Sequence, residues 1–467
     1  MQRRCVGRAA AAAVVMVVAL TGAAWAEEPE GETGETGAAT EQGAGEAGEQ
    51  SDAERIDELE AKVDVLASEL AKAVADETVP EEKLESQWGF GPAASKIYRK
   101  DQGLSIGGYG EYRVRTFVGD GSEGKTTEAD ALRAVLYVGY KFNDKWLVNS
   151  ELELEHGSTS EDGSFSVEFA TVDWQALDNH GLRAGLVLLP MGFVNEIHEP
   201  TFFFGAERPE VERKIIPSTW REVGGGVFGQ LADGRVSYRM YGVNGLDATG
   251  FSDEGLRGGR QNGSKALADH WAFVGRTDVD VVDGLSVGGS VYVGKSGQDQ
   301  TFDYDGEEGL APAVPVPDAL TTIYELHAEY KAHGLSIRGL FTQAFIDDVS
   351  ELNAALGNVV TNPEDDGSRI AERLLGGYAE IAYDVLPLVW KGTKASLEPY
   401  FRYERLDTQN QMASGDVANE NLVQDIYTVG IQIKPIPNVV FKTDYRNFKP
   451  KSGEKADQVQ FHMGYVF

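Results

Sequence analysis

From Leu104 to the C-terminus the chain keeps a hydropathy period of two, and nowhere does it offer the roughly 18 uninterrupted apolar residues that a membrane-crossing helix needs. In LSIGGYGEYRVRTF one parity carries Leu104, Ile106, Gly108, Gly110, Tyr112 and Val114, and the other carries Glu111, Arg113 and Arg115. ALRAVLYVGYKF sets Leu132, Ala134, Leu136, Val138, Tyr140 and Phe142 against Arg133 and Lys141. WLVNSELELEH sets Trp146, Val148, Leu152 and Leu154 against Asn149, Glu151, Glu153 and Glu155. Each strand has one greasy face and one wet face.

The connections alternate as well. Short turns at Asn143–Lys145, Asp178–Gly181, Ala232–Gly234, Val282–Gly284, His333–Gly334 and Pro435–Asn438 use the residues tight hairpins prefer. Between them come long loops, such as 190–220, 244–270, 295–319 and 344–370. A connection at Val385–Lys394 is a turn by parity but longer than the rest. Short-long alternation is the pattern of outer-membrane barrels, with periplasmic turns and external loops. Strands are predicted near 104–117, 129–142, 146–156, 164–177, 181–190, 220–231, 235–243, 271–280, 285–294, 321–332, 335–343, 372–384, 395–406, 421–434, 439–448 and 457–467. The expected fold is all-β: a transmembrane antiparallel β-barrel of about 16 strands over 103–467, with a lumen of water rather than packed side chains. A soluble sandwich would have to leave aromatic-rich faces in water.

The segment before the barrel reads differently. Residues 1–26 have the cationic start, apolar centre and Ala24-Trp25-Ala26 ending of a signal peptide, which holds the chain's one cysteine, Cys5. Residues 27–52 form an acidic spacer too poor in apolar side chains to offset its ordering entropy. In 53–79, Ile56, Leu59, Val63, Leu66 and Leu70 alternate three and four apart, predicting a short coiled-coil helix. So short a seam is marginal alone and fits a chain whose copies are already held together as a homotrimer. Residues 80–102 read as a linker. The formal charge of -33 argues against nucleic acid, whose phosphates demand a basic face.

The last strand, DQVQFHMGYVF, is apolar on one parity through Phe461, Tyr465 and the terminal Phe467. Such an ending resembles the signal read by the barrel assembly machinery of the outer membrane. The middle of the chain carries a second resemblance. GLVLLPMGF, then Glu207-Arg208, then PSTWREVGGGVFG, is similar to the phosphate-selective porin O/P family at Gly185, Pro190, Gly192, Glu207, Arg208 and Gly224. The resemblance implies a 16-stranded trimeric channel in outer-membrane lipid, with loop 190–220 folded inward as its constriction.

Small hydrophilic solutes are then the expected cargo, and passive diffusion the expected process. Glu196, His198, Glu199, Glu207, Arg208, Glu210, Glu212, Arg213 and Lys214 are the candidate constriction residues, with Phe202, Phe203 and Phe204 pinning the loop to the wall. Candidate pore-lining residues are Glu111, Arg113, Arg115, Arg133, Glu151, Glu153, Arg183, Arg235, Arg239, Arg338, Arg402 and Arg446. Phosphate selectivity needs a dominant positive field, whereas the region from Gln87 onward sums to about -20. A structural anchor to the cell wall is the other binding class, but no wall-binding domain or long coiled coil accompanies the heptads. An enzyme needs a nucleophile beside a base, yet the histidines are scattered and no G-x-S-x-G or HExxH occurs. No catalytic residue, metal ligand or cofactor is assigned. His198, between Glu196 and Glu199, is the one histidine placed for chemistry.

Overall fold

The computed structural model describes residues 84–159, 163–302, 314–357 and 369–467. The expected signal segment, acidic spacer and heptad helix lie outside the described residues. Sixteen strands among those residues close into one antiparallel barrel. The first eight are β1 (Gly103–Val118), β2 (Glu128–Lys141), β3 (Trp146–Glu155), β4 (Ser164–Leu177), β5 (His180–Leu188), β6 (Arg221–Leu231), β7 (Val236–Asn244) and β8 (Trp271–Val282). The others are β9 (Leu285–Lys295), β10 (Leu320–Ala332), β11 (Leu335–Ile346), β12 (Arg373–Tyr383), β13 (Ser396–Gln411), β14 (Val423–Ile436), β15 (Val439–Pro450) and β16 (Asp457–Val466). Each pairs with its sequence neighbours, and β16 returns to β1 with Tyr109 opposite Val466 and Val118 opposite Asp457. Closure satisfies every ladder without an edge, as hydrocarbon requires.

The predicted strands all form, and the largest departure is instructive. β13 runs on to Gln411, where polar DTQNQ reads as loop, because Gln411 pairs with Arg373 beyond a bulge and Gln409 donates to the Arg369 carbonyl at 2.7 Å. Between β10 and β11, His333 and Gly334 both take positive φ, the mirror-image turn whose twist matches the strands it joins. The long turn after β12 contains one helical turn at Leu386–Val389.

Parity decides the faces. Leu104, Ile106, Tyr112, Val114, Leu136, Phe273, Ile381, Val429 and Phe461 point outward and exposed, forming the lipid-facing belt of an outer-membrane barrel. Near the short-turn rim, Trp146 and Trp174 stack with ring centroids 5.8 Å apart, the aromatic girdle expected at a membrane interface. Phe467 is exposed at the same end, and its carbonyl accepts from Gly108 N at 3.0 Å. Ser105, Tyr109, Glu111 and Arg113 point inward and buried.

The lumen, expected to hold only water, contains three apolar clusters among the described residues, the smallest being Phe204 with Ala382 and Tyr400. One gathers Leu189, Met191, Val211, Ile215, Ile216 and Trp220 of the long loop, Leu246, Phe251 and Leu256 of the next loop, and wall residues Tyr241, Val274, Tyr292 and Leu340. The second is built on the stretch read as a linker, whose Phe90, Ala93, Ala94, Ile97 and Tyr98 pack on Tyr109, Val135, Tyr137, Leu147 and Phe169. Ala94–Arg99 of that stretch is a 3-10 helix lying against β1, β2 and β3. Segments folded into a barrel bring apolar faces with them, and burying those faces against the wall is favourable.

Candidate functional site

The loop between β5 and β6 enters the lumen because its neck is clamped. Asn195 Nδ2 donates to the carbonyls of Leu189 at 2.7 Å and Trp220 at 2.9 Å, and Trp220 N donates back to Asn195 Oδ1. Trp220 is fully buried, with its ring 4.7 Å from that of Tyr292. Glu212, on the short helix α1 (Glu210–Lys214), ties the loop to both itself and the wall. It accepts from Val194 N at 2.9 Å and from the Tyr378 hydroxyl of β12 at 2.6 Å. Gly192 has φ +68, and a Cβ there would run into the Glu212 carboxylate, so glycine is required.

Beyond the neck the backbone runs along the opposite wall. Arg402 donates to the carbonyls of Phe204 at 3.0 Å and Glu207 at 3.1 Å, and Lys442 donates to those of Phe203 at 2.8 Å and Gly205 at 3.0 Å. Ala206 N donates to Asp444 at 2.6 Å, and Arg446 pairs with Glu210 at 3.2 Å. Burial alone would raise the Glu210 carboxyl, but Arg213 and Arg446 hold it well below the usual carboxylate range. The Lys442 ammonium lies 3.9 Å over the Phe203 ring, and Phe204 packs on Tyr400 with centroids 5.6 Å apart. Wall cations here hold loop carbonyls.

Two cavities of similar size flank the loop. The one toward the long-loop end, about 260 Å³, is lined by Arg113, Arg115, Arg133, Arg208, Arg213 and Arg257 against Glu111, Glu155 and Glu207. Arg113 pairs with Glu207, Arg115 with Glu128 at 2.5 Å, and Arg133 with Glu111 and Glu153 at 3.5 Å. Among the described residues no carboxylate lies within ion-pair distance of Arg208 or Arg257, and Nη2 of the first and Nη1 of the second are buried without a hydrogen-bond partner. Burial, then Arg260 and Arg213, push the Arg257 guanidinium down to about 9.

The second cavity, about 270 Å³ toward the short-turn end, is lined by Trp88, Phe193, Phe202, Tyr238, Glu196, Arg239, Arg276, Asp278, His327, Glu329 and Arg338 among others. Here every arginine is matched. Arg239 meets Glu196 at 3.1 Å and Asp278 at 2.8 Å, Arg276 meets Asp278 at 2.9 Å, and Arg338 meets Glu329 at 2.7 Å.

The sequence-predicted residues thus separate into groups. Glu111, Arg113, Arg115, Arg133, Glu207, Arg208 and Arg213 line the first cavity, and Glu196, Arg239 and Arg338 line the second. Arg235 sits at the short-turn rim beside a further space with Asp280 and Lys331. Arg183, Arg402, Arg446, Glu151, Glu153, Glu199 and Glu212 are buried under the inserted segments or the loop, and Lys214 pairs with Glu254 at 3.1 Å. His198 is 2% exposed, with Nδ1 3.0 Å from the Asn195 carbonyl and Nε2 3.2 Å from Glu151. Burial, then Arg208 and Arg133, push its imidazole down to about 3, so it is neutral. Arg276, Asp278, His327 and Glu329 complete the second cavity beyond the sequence-predicted residues, although the period-two parity of β8 and β10 marks all of them as inward.

No protein-family model matches the chain. An uncharacterized protein of Aquifex aeolicus (strain VF5) is 34% identical over 369 residues, covering 76% of this chain and 78% of its own. Among solved structures, OmpF of Salmonella typhi, in complex with daunomycin, matches at 13% identity over 79% of this chain and 99% of its own, with a TM-score of 0.49. The outer-membrane channel DcaP of Acinetobacter baumannii matches at 12% identity over 78% and 97%, with a TM-score of 0.49. An anion-selective porin from Comamonas acidovorans matches at 11% identity over 78% and 100%, with a TM-score of 0.47.

Proposed function

The chain belongs to one family with the uncharacterized Aquifex aeolicus protein, and with that as premise we propose that it is an outer-membrane porin for passive diffusion of small hydrophilic solutes, working as a homotrimer. The observation that carries this reading is the closed barrel whose inward parity is charged and whose inward loop leaves polar cavities on both sides. A solute entering from the long-loop end meets six arginines against three glutamates, then a zone where guanidinium and carboxylate are already paired. No bond is made or broken, and size and field do the sorting.

One observation favours a second reading, in which the pore prefers anions. Arg208 and Arg257 keep donors without protein acceptors, and a passing anion supplies acceptors at little reorganisation. The resemblance at Glu207-Arg208 points the same way. Phosphate specificity is a narrower claim that the second cavity does not support, because its arginines are neutralised by Asp278, Glu196 and Glu329. The test is reversal potential in planar bilayers under a salt gradient, with and without phosphate. A porin conducts, and an anion-preferring one shows a potential on the anion side. Absence of any conductance sinks the proposal, and saturable block by phosphate replaces it with a phosphate channel. Cross-linking of the detergent-solubilised protein tests the trimer.

A further inference from the structure

Residues 86–99, read as linker, occupy the short-turn half of the lumen, and the wall is shaped to receive them. Gln87 and Phe90 close a tight bridge, and Ser95 Oγ accepts from Gln87 N at 2.9 Å and donates to the Phe90 carbonyl at 3.0 Å, giving the segment its own fold. Arg183 is the hub that holds it. Its guanidinium grips Asp173 with Nε and Nη2, both at 2.9 Å, donates to the Trp88 carbonyl at 3.0 Å and to the Tyr98 hydroxyl at 2.8 Å, and lies 4.1 Å over the Phe90 ring. Tyr98 in turn donates to Asp173, and Asn149 Nδ2 donates to the Ala94 carbonyl at 3.0 Å. From the other side, Glu199 of the inward loop accepts from Ala93 N at 2.9 Å.

The lumen face also carries two glycines where a side chain would collide with this segment. A Cβ at Gly107 would lie 2.8 Å from the Ala93 carbonyl oxygen, and one at Gly139 would lie 3.2 Å from Ile97 Cβ. Glycine inside a strand costs stability and commonly marks close approach of another backbone. Phe90, Ile97 and the Arg183–Asp173 pair have no water-filled lumen to line. Phe90 and Ile97 pack on the wall, and the Arg183–Asp173 pair faces the segment.

We infer that residues 86–99 are a built-in plug that sets the size limit of the channel's periplasmic half, confining solute to the space between Trp88 and β7–β11. The inference rests on the porin reading above. With the plug seated, the path is bounded by Trp88 and Gly89 on one side and by Tyr238, Arg239, Arg276 and Arg338 on the other, around the cavity of about 270 Å³. With it displaced, the hydrophobic wall patch of Tyr109, Val135, Tyr137 and Phe169 would become part of the pore.

The experiment uses the full-length protein in planar bilayers, with barrel folding checked by heat-dependent gel mobility. A loosened variant, W88S/F90S, is placed in the background I97C/G139C: a Cβ at position 139 stands 3.2 Å from the Ile97 Cβ, a few tenths of an ångström inside the usual disulfide spacing, and Ile97→Cys removes the Cγ1 it would otherwise meet at 3.0 Å. Cys5, the only natural cysteine, falls in the predicted signal segment. Oxidised, the combined variant keeps the wild-type conductance. Reduced with dithiothreitol, it conducts several-fold more and admits larger neutral polymers. Equal conductance in both redox states, from a folded barrel that conducts, overturns the plug and leaves the porin standing. A silent wild type with a conducting reduced variant upholds the plug and overturns the freely open pore. Silence of all variants overturns both.

Discussion

At the scale of single residues, inward arginines fall into two kinds that look alike in sequence. Arg208 and Arg257 face a cavity with unpaired donors, whereas Arg402, buried, spends its donors on the Phe204 and Glu207 carbonyls and on Glu404. Replacing Arg208 and Arg257 together with glutamine is expected to lower the anion-to-cation permeability ratio several-fold, read as a shift of the reversal potential, with the barrel's stability little changed. Arg402→Gln is expected to do the reverse. It strands a buried carboxylate and two carbonyls, costing about 3–5 kcal/mol in urea unfolding, with selectivity changed only through loss of the loop's position. Glu199 makes a third case. Burial raises its carboxyl to about 8, the Ala93 and Ala94 N–H groups and Lys96 oppose this, and Glu151 on β3 adds to it. Tyr137 of β2 also faces it. The folded pKa stands above the ordinary 4.5, so the native state holds a proton that the unfolded chain releases. The associated stability is full below about 4.5 and is lost as pH rises through about 8. Thermal unfolding midpoints measured from pH 5 to 9 should therefore fall less steeply in Glu199→Gln than in the wild type, and an unchanged slope would remove Glu199 from the account.

At the scale of elements, local signals set the strands while tertiary contacts set where they stop. β5 is predicted to reach Pro190, but the strand ends at Leu188: Leu189 N still donates to the Trp220 carbonyl at 3.0 Å, while Asn195 takes over the return bond between Trp220 N and the Leu189 carbonyl. Within β5, Gly185 has φ +132, and a Cβ there would lie 2.2 Å from the Ala170 carbonyl oxygen. Gly185→Ala should cost about 1–3 kcal/mol through backbone strain and the collision with β4. Gly392, at φ +77 in the turn before β13 with nothing within 4 Å, should lose only the strain term on the same change. Urea midpoints of the two variants check the contrast, and equal losses would show that the β4–β5 contact gives way freely. The five-residue α1 is too short to persist by itself. Its place comes from Tyr378 on Glu212 and from Glu404, which accepts from Val211 N.

For the whole molecule, a formal charge of -33 coexists with an arginine-rich entrance, so net charge and local field point in opposite directions. Salt separates them. The Debye length falls from about 10 Å at 0.1 M to about 3 Å at 1 M, so an anion preference built from distant charges fades with salt. One built from guanidinium groups touching the solute persists. The structure predicts persistence, with the permeability ratio measured at both salt concentrations as the check. Strand number, the inward and outward parities and the turn positions were all legible in the chain, because pleating alternates side chains every residue and turn chemistry is local. The inward candidates Arg113, Arg133 and Arg239 could be named for the same reason. Which inward charges meet solute was not legible. Arg402 meets Phe204 across 198 residues and Lys442 meets Phe203 across 239, and no local pattern encodes such a pairing. The stretch 86–99 reads as linker because its apolar residues have no period, and it is ordered by residues distant in sequence, among them Arg183, Asp173, Asn149 and Glu199. The sequence by itself determined a barrel with a wet inner face. The tertiary structure alone decided how much of that face stays wet, since buried donors must find acceptors wherever folding brings them.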